Sequence, residues 1–262
     1  MGHGIAQVAA MSGYNVIMRD IKQEFLDAGL DRIKKSLSKF VKKGKITQDK
    51  MDEILSRIKT TIDLEEAVMN ADFIIEAIPE VFDLKADTFR KVDKIAPSHA
   101  IIATNTSSLP ISELATVTSR PDKFIGMHFF NPPQIMKLVE VVRGEKTSDE
   151  TVRITKELAI SMGKEPVVVA KDVPGFIVNR ILVRWLNEAC LIYERGEFDK
   201  IVIDSALKGK VGLPMGAFEL ADFIGLDVMR DIIDALIQRG FNLTPCKSWK
   251  ELPSSGKLGR KS

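Results

Sequence analysis

Apolar positions recur with two different periods over the first two-thirds of the chain. Leu26, Leu30, Ile33, Leu37 and Val41 fall three or four residues apart and predict one long amphipathic helix. Short, largely apolar runs at 14–18, 73–75, 101–103, 124–127, 136–142 and 166–169 predict strands instead. Helical patterns over 2–11, 84–95, 111–117 and 147–162 lie between them, and Gly13 stops the first. Thr47 and Asp63 are residue types that cap helices, and predict two more, through 58 and through 69. Such alternation predicts an α/β fold: a doubly wound, Rossmann-like parallel sheet with helices on both faces.

The pattern changes at Lys171-Asp172-Val173-Pro174-Gly175. Beyond it only helical segments are legible, at 177–194, 198–208, 217–223 and 226–239. The expected organisation is a Rossmann-like domain over 1–172 followed by an all-helical domain over 173–262. The stretch 253–262 is polar and rich in Gly, Ser and Lys, so the second domain is expected to be frayed or incomplete at its end.

Composition supports that picture and narrows the functions. At 262 residues the chain can bury a full-sized core, and it is 45% hydrophobic and 28% charged. A formal net charge of +2 gives no electrostatic reason to expect nucleic acid. No apolar run approaches bilayer length, and no signal-peptide pattern opens the chain. Cys190 and Cys246 are far apart in sequence and form no CxxC, so neither a disulfide nor a zinc site is expected. A reducing, cytoplasmic setting follows. His3 and His99 show no metal-ligand spacing, and no metal is expected.

The chemistry concentrates between residues 105 and 140. Asn105-Thr106-Ser107-Ser108, then His128-Phe129-Phe130-Asn131-Pro132, then Glu140 supply a hydroxyl, an imidazole and a carboxylate in or beside short apolar runs. Strand ends of open α/β sheets hold working residues on rigid backbone, and these three groups suffice to move a proton to or from a substrate oxygen. A second signal lies at the start of the chain. Gly2 and Gly4 open a helix, and Asp20 ends the next strand candidate. In dinucleotide folds the pyrophosphate sits at a helix N-terminus, and an acidic residue about 20 positions on binds the adenosine ribose. Asp20 favours NAD over NADP. A full fingerprint needs a strand and two further glycines before Gly2. The first strand of the sheet is therefore expected to be missing from the chain, and NAD binding to be weak.

Taken together the motifs resemble the 3-hydroxyacyl-CoA dehydrogenase family, 3-hydroxybutyryl-CoA members included, over essentially the whole chain. Met1-Gly2-His3-Gly4-Ile5-Ala6 looks like the end of its glycine motif, and Glu76-Ala77-Ile78-Pro79-Glu80 like its second cofactor loop. The most specific strings are His128-Phe129-Phe130-Asn131-Pro132 and Pro174-Gly175-Phe176-Ile177-Val178-Asn179-Arg180. Tyr193-Glu194-Arg195-Gly196 and Pro214-Met215-Gly216 continue the order. The resemblance implies a general base at His128, its carboxylate partner at Glu140, and hydrogen bonds to the substrate's C3 oxygen from Ser107 and Asn179. It implies NAD contacts at Gly2, Asp20, Ala77, Glu80, Lys85 and Asn105, and CoA contacts at Ser36 and Lys43. It further implies an acyl-CoA thioester substrate, a role in fatty-acid β-oxidation and a homodimer held by the helical domain, with neither nucleic acid nor membrane as partner. An ending short of the family's Gly-x-Gly-Phe-Tyr raises the expectation of a longer polypeptide, fused to an enoyl-CoA hydratase.

Plainer readings stand beside these. Ser107 is also placed to cap the helix near Pro110. The seven basic residues between Arg32 and Lys45 are either the solvated face of a helix or a cationic surface for the phosphates of CoA. Phe129 and Phe130 read as core. At the level of function, the alternatives are a dehydrogenase of a free hydroxy acid and a non-catalytic fragment.

Overall fold

The computed structural model describes residues 1–259, which divide into two compact units, 1–172 and 173–259. In the first, helix α1 (Gly2–Met11) precedes strand β1 (Val16–Arg19), and the long helix α2 (Gln23–Lys42) follows. Leu26, Ile33 and Leu37 of α2 are buried, as their spacing predicts. Helix α3 (Gln48–Ser56) is capped by the Thr47 hydroxyl, which accepts from Lys50 N, and α4 (Leu64–Val68) by Asp63, which accepts from Glu65 N. Between them lies strand β2 (Ile58–Thr61), paired in parallel with β1. Here the expectation that the Thr47 helix runs through 58 is wrong. Ile58-Lys59-Thr60-Thr61 is rich in β-branched residues and gains a ladder from β1, a partner the local periodicity does not reveal.

A second sheet holds β3 (Phe73–Glu76), β4 (Ile101–Thr104), β5 (Phe124–Phe129), β6 (Leu138–Val142) and β7 (Glu165–Val169) in that order. The β-structure of this unit is thus in two pieces. Helices α5 (Phe82–Ile95), α6 (Ile111–Ala115) and α7 (Asp149–Ser161) complete the unit. Successive strand residues point to opposite faces. Ile125, Met127 and Phe129 of β5 pack with Ile5 and Val8 of α1 and Ala159 near the end of α7. On the other face Phe124 meets Phe89 of α5 edge to face, with ring centroids 4.8 Å apart.

The sheet is not wholly parallel, which corrects the second expectation. β5 and β6 are antiparallel, whereas β3–β4, β4–β5 and β6–β7 are parallel. The connection over 130–137 is too short for the dozen or more residues that a parallel crossover requires. β5 and β6 also approach closely: a Cβ on Gly126 would lie 2.8 Å from Val142 Cβ and 2.9 Å from Ile111 Cδ1.

The second unit is helical among its described residues: α8 (Val178–Glu194), α9 (Lys200–Gly209), α10 (Ala217–Ile224), α11 (Leu226–Gln238) and α12 (Ser248–Ser254). Its core includes Val183, Leu186, Met229, Ile233, Leu236 and Trp249. Helix α12 overlaps the stretch expected to be frayed, and buried Trp249 anchors it through an indole N–H donated to Asn187 Oδ1. The expected fraying beyond 259 lies outside the described residues. Two glycines of the family-like strings have structural reasons. Gly175 has φ +75°, and a Cβ there would sit 2.9 Å from Arg180 N at the start of α8. Gly216 leaves room for Asp204, whose carboxylate accepts from Phe218 N and Glu219 N and so caps α10.

Among the described residues, no helix is long and apolar enough to cross a membrane.

Candidate active site

The antiparallel register sets His128 directly opposite Glu140. Their side chains meet at 2.8 Å between Nδ1 and Oε2, with His128 6% exposed and Glu140 1%. The twelve-residue spacing in the chain is therefore a cross-strand neighbour relation. A buried carboxylate at Nδ1 makes that nitrogen the proton-bearing one and leaves Nε2 as the ring's acceptor. The Phe130 ring lies 4.6 Å from the imidazole, centroid to centroid, and restricts its rotation. The loop after Phe130 is held by Lys164, whose ammonium donates to the carbonyls of Pro133 and Met136. Burial lowers the Lys164 pKa.

Ser107 lies in the turn after β4, the strand beside β5. One oxygen of Glu80 organises this turn. Oε1 accepts from Ser107 N at 2.9 Å, Ser108 N at 3.0 Å, Ser108 Oγ at 3.0 Å and the Thr106 hydroxyl. The Ser107 hydroxyl is 3.4 Å from the same atom. Burial works to raise the Glu80 pKa, but the Lys85 ammonium and these hydrogen bonds outweigh it and hold the carboxyl below its ordinary range. The alternative that Ser107 caps the following helix is not what forms: α6 has Pro110 at its N-cap and no side-chain cap.

The expected cofactor residues lie at the start of α1, after β1, β3 and β4, and in α5. Asp20 follows β1, and its Oδ1 accepts from Ile21 N at 2.7 Å. Gly2 begins α1, and a Cβ on it would lie 3.9 Å from Ala77 Cβ, so the helix N-terminus and the loop after β3 adjoin. A helix N-terminus beside a small side chain, with a carboxylate at the end of β1, fits the pyrophosphate and ribose of a dinucleotide. Lys85 is 1% exposed and contacts Glu80 Oε2 at 3.3 Å. Asn105 has a structural contact of its own. Its Oδ1 accepts from Phe129 N at 2.8 Å and ties the end of β4 to β5 one residue past His128.

Ser36 is half-buried on α2, and Lys43 is exposed at its C-terminal cap. A shallow groove on the same helix is lined by Asp31, Lys34, Lys35, Ser38, Lys39 and Lys42. Asn179 belongs to the second unit, where it is buried in the first turn of α8.

Three residues linked to the site were given no role of their own by the sequence. Glu76, Thr104 and Thr106 are 7%, 0% and 1% exposed, and hydrogen bonds link them to the Ser107 turn. The only sequence signal was a carboxylate and two hydroxyls at strand ends, which is too common to single out. The cysteines require a correction. Cys190 and Cys246 are disulfide-bonded, with Cα atoms 6.0 Å apart, because α8 packs against the segment that leads into α12. A separation of 56 residues hides that contact, and the cysteine premise for a reducing setting falls with it. Glu194 lies within 4.8 Å of both sulfurs, but its carboxylate accepts from Lys247 N, Ser248 N and the Ser248 hydroxyl.

A model of the 3-hydroxyacyl-CoA dehydrogenase NAD-binding domain matches residues 1–173, and one of the 3-hydroxyacyl-CoA dehydrogenase C-terminal domain matches 175–262. The chain belongs to the 3-hydroxyacyl-CoA dehydrogenase family. It is 46% identical over its whole length to the probable 3-hydroxybutyryl-CoA dehydrogenase of Deinococcus radiodurans, of which it covers 94%. It is 42% identical to the mitochondrial hydroxyacyl-coenzyme A dehydrogenase of Sus scrofa and covers 86% of that protein. The crystal structure of (S)-3-hydroxybutyryl-CoA dehydrogenase from Ralstonia eutropha matches with a TM-score of 0.95 at 41% identity, covering 100% of this chain and 92% of the other. The strings that carry the family resemblance thus lie in a chain related to its members from end to end.

Proposed function

We infer that this dehydrogenase interconverts 3-hydroxyacyl-CoA and 3-ketoacyl-CoA with NAD as the oxidant, His128 moving the proton. The buried His128–Glu140 pair carries the reading, because it is a base with a fixed tautomer on a strand next to a hydroxyl-bearing turn. Bound NAD would supply the hydride-accepting chemistry, which belongs to the cofactor. His128 Nε2 takes the proton from the C3 hydroxyl, and Glu140 stabilises the imidazolium as it forms. The Ser107 hydroxyl donates to the oxygen as it becomes a carbonyl.

For the cofactor, the N-terminus of α1 at Gly2 and the adjoining Ala77 would hold the phosphates, and Asp20 the adenosine ribose. Glu80 and Lys85 would meet the rest of the molecule. Ser36 and Lys43 would contact CoA, supported by the basic face of α2. For assembly, Phe198, Ile201 and Val202 are exposed on the helical unit, Ile201 at 80%, which favours a homodimer through that unit. Sedimentation should then give twice the 29.1 kDa chain mass; a monomer would contradict it.

The substrate class is tested by following NADH consumption with acetoacetyl-CoA and with free acetoacetate. Turnover of the thioester in clear preference is expected. Turnover of the free acid alone would overturn the reading.

A further inference from the structure

Beneath the Ser107 turn, Glu76 joins Lys85 and Glu80 in a charge cluster, and it alone of the three has no part in the reaction as derived above. The Lys85 ammonium donates to Glu76 Oε1 at 2.7 Å and to the Ile78 carbonyl at 3.1 Å, and lies 3.3 Å from Glu80 Oε2. Glu76 Oε1 also accepts from Ile78 N at 2.6 Å, and Oε2 accepts from the Thr104 hydroxyl at 2.6 Å. Two carboxylates therefore share one ammonium, with Glu76 and Lys85 both buried. Glu76 ends β3 and Thr104 ends β4, and they are register partners in the parallel ladder. Thr104 Oγ1 in turn accepts from Thr106 N at 3.2 Å.

We propose that Glu76 is a positioning residue of the reaction, holding the Ser107 hydroxyl from two sides. One path runs through Lys85 to Glu80 Oε2, whose other oxygen gathers the Ser107 and Ser108 amides. The other runs through Thr104 to the backbone of Thr106. Lys85 is divided between two carboxylates, which leaves Glu80 facing the turn. With Gln at position 76 the ammonium would have one anionic partner left. Glu80 is drawn toward it and the Ser107 turn follows. In a low-dielectric site such a redistribution of charge-assisted bonds moves atoms by tenths of an ångström or more, and misplacement near 1 Å costs on the order of a hundredfold in rate. The alternative is that Glu76 only neutralises Lys85 and has no bearing on Ser107.

This inference rests on the reading of Ser107 as a substrate contact, so both are tested together. The experiment is a double-mutant cycle of Glu76→Gln with Ser107→Ala in the full chain, reading kcat/KM for acetoacetyl-CoA at saturating NADH. Thr104→Val, which removes only the second path, serves as a milder variant should Glu76→Gln fail to fold. With Ser107 present, we expect a loss of roughly tenfold for Glu76→Gln and about threefold for Thr104→Val. In the Ser107→Ala background each should cost less than about twofold, because the hydroxyl they position is gone. The same fold-loss in both backgrounds, or no loss in either, would overturn the positioning role while leaving Ser107 intact. Should Ser107→Ala alone leave kcat/KM unchanged, the Ser107 reading fails and this inference falls with it.

Discussion

Replacing His128 with Gln is expected to lower kcat for acetoacetyl-CoA reduction by roughly 10²–10⁴, the range that one general acid–base group supplies. Gln keeps the polarity and approximate length of the side chain but has no nitrogen that exchanges a proton near neutrality. The imidazole is buried between strand β6 and the Phe130 ring, so the loss would not be made good by a water in its place. KM should change little, since the lost interaction belongs to proton transfer rather than to ground-state binding. Steady-state kinetics on the folded variant checks this, and a rate within a few-fold of the unsubstituted protein would remove His128 as the base.

Glu140→Gln is the second large effect expected, with kcat falling by about 10²–10³. The amide can present either its oxygen or its NH₂ to Nδ1. With the NH₂, Nδ1 becomes an acceptor and the proton moves to Nε2, which is the wrong tautomer for a base. Either way the negative charge that stabilises the imidazolium is lost. Because Glu140 is 1% exposed, stability should also fall, by about 1–3 kcal/mol for a disturbed buried hydrogen bond. Kinetics and a denaturant melt on the same preparation separate the two effects. A variant with reduced stability but unchanged kcat would show Glu140 to be structural only.

Much of the first unit was legible because its signals are local. The α2 stripe, the caps at Thr47 and Asp63, and the apolar runs of β3, β4 and β5 each lie within a single element. What failed was long-range. Strand β2 exists because β1 lies beside it, and no window around Ile58 contains that partner. The antiparallel β5–β6 pair was in fact written in the short 130–137 connection, a signal outweighed by the general strand–helix alternation.

The candidate site divides in the same way. His128, Glu140 and Ser107 were found through strings of a few residues. Glu76 lay in such a string too but received no role of its own, because its contacts are with Lys85 nine positions on and Thr104 twenty-eight positions on. Asn105 lies in a string that was found, whereas its hydrogen bond from Phe129 N across the β4–β5 junction was not legible, because the partner is 24 positions on. Cys190 and Cys246 meet only because α8 packs against the segment before α12, far from it in sequence.

The central claim is that His128 Nε2 acts on the oxygen at C3 of an acyl-CoA, with Glu140 behind the ring and Ser107 on the same oxygen. A crystal structure of the protein with acetoacetyl-CoA and NAD tests it most directly. The account predicts the C3 oxygen within about 2.6–3.2 Å of both His128 Nε2 and Ser107 Oγ. A thioester bound with that oxygen beyond reach of His128, while the His128–Glu140 pair stays intact, would contradict it.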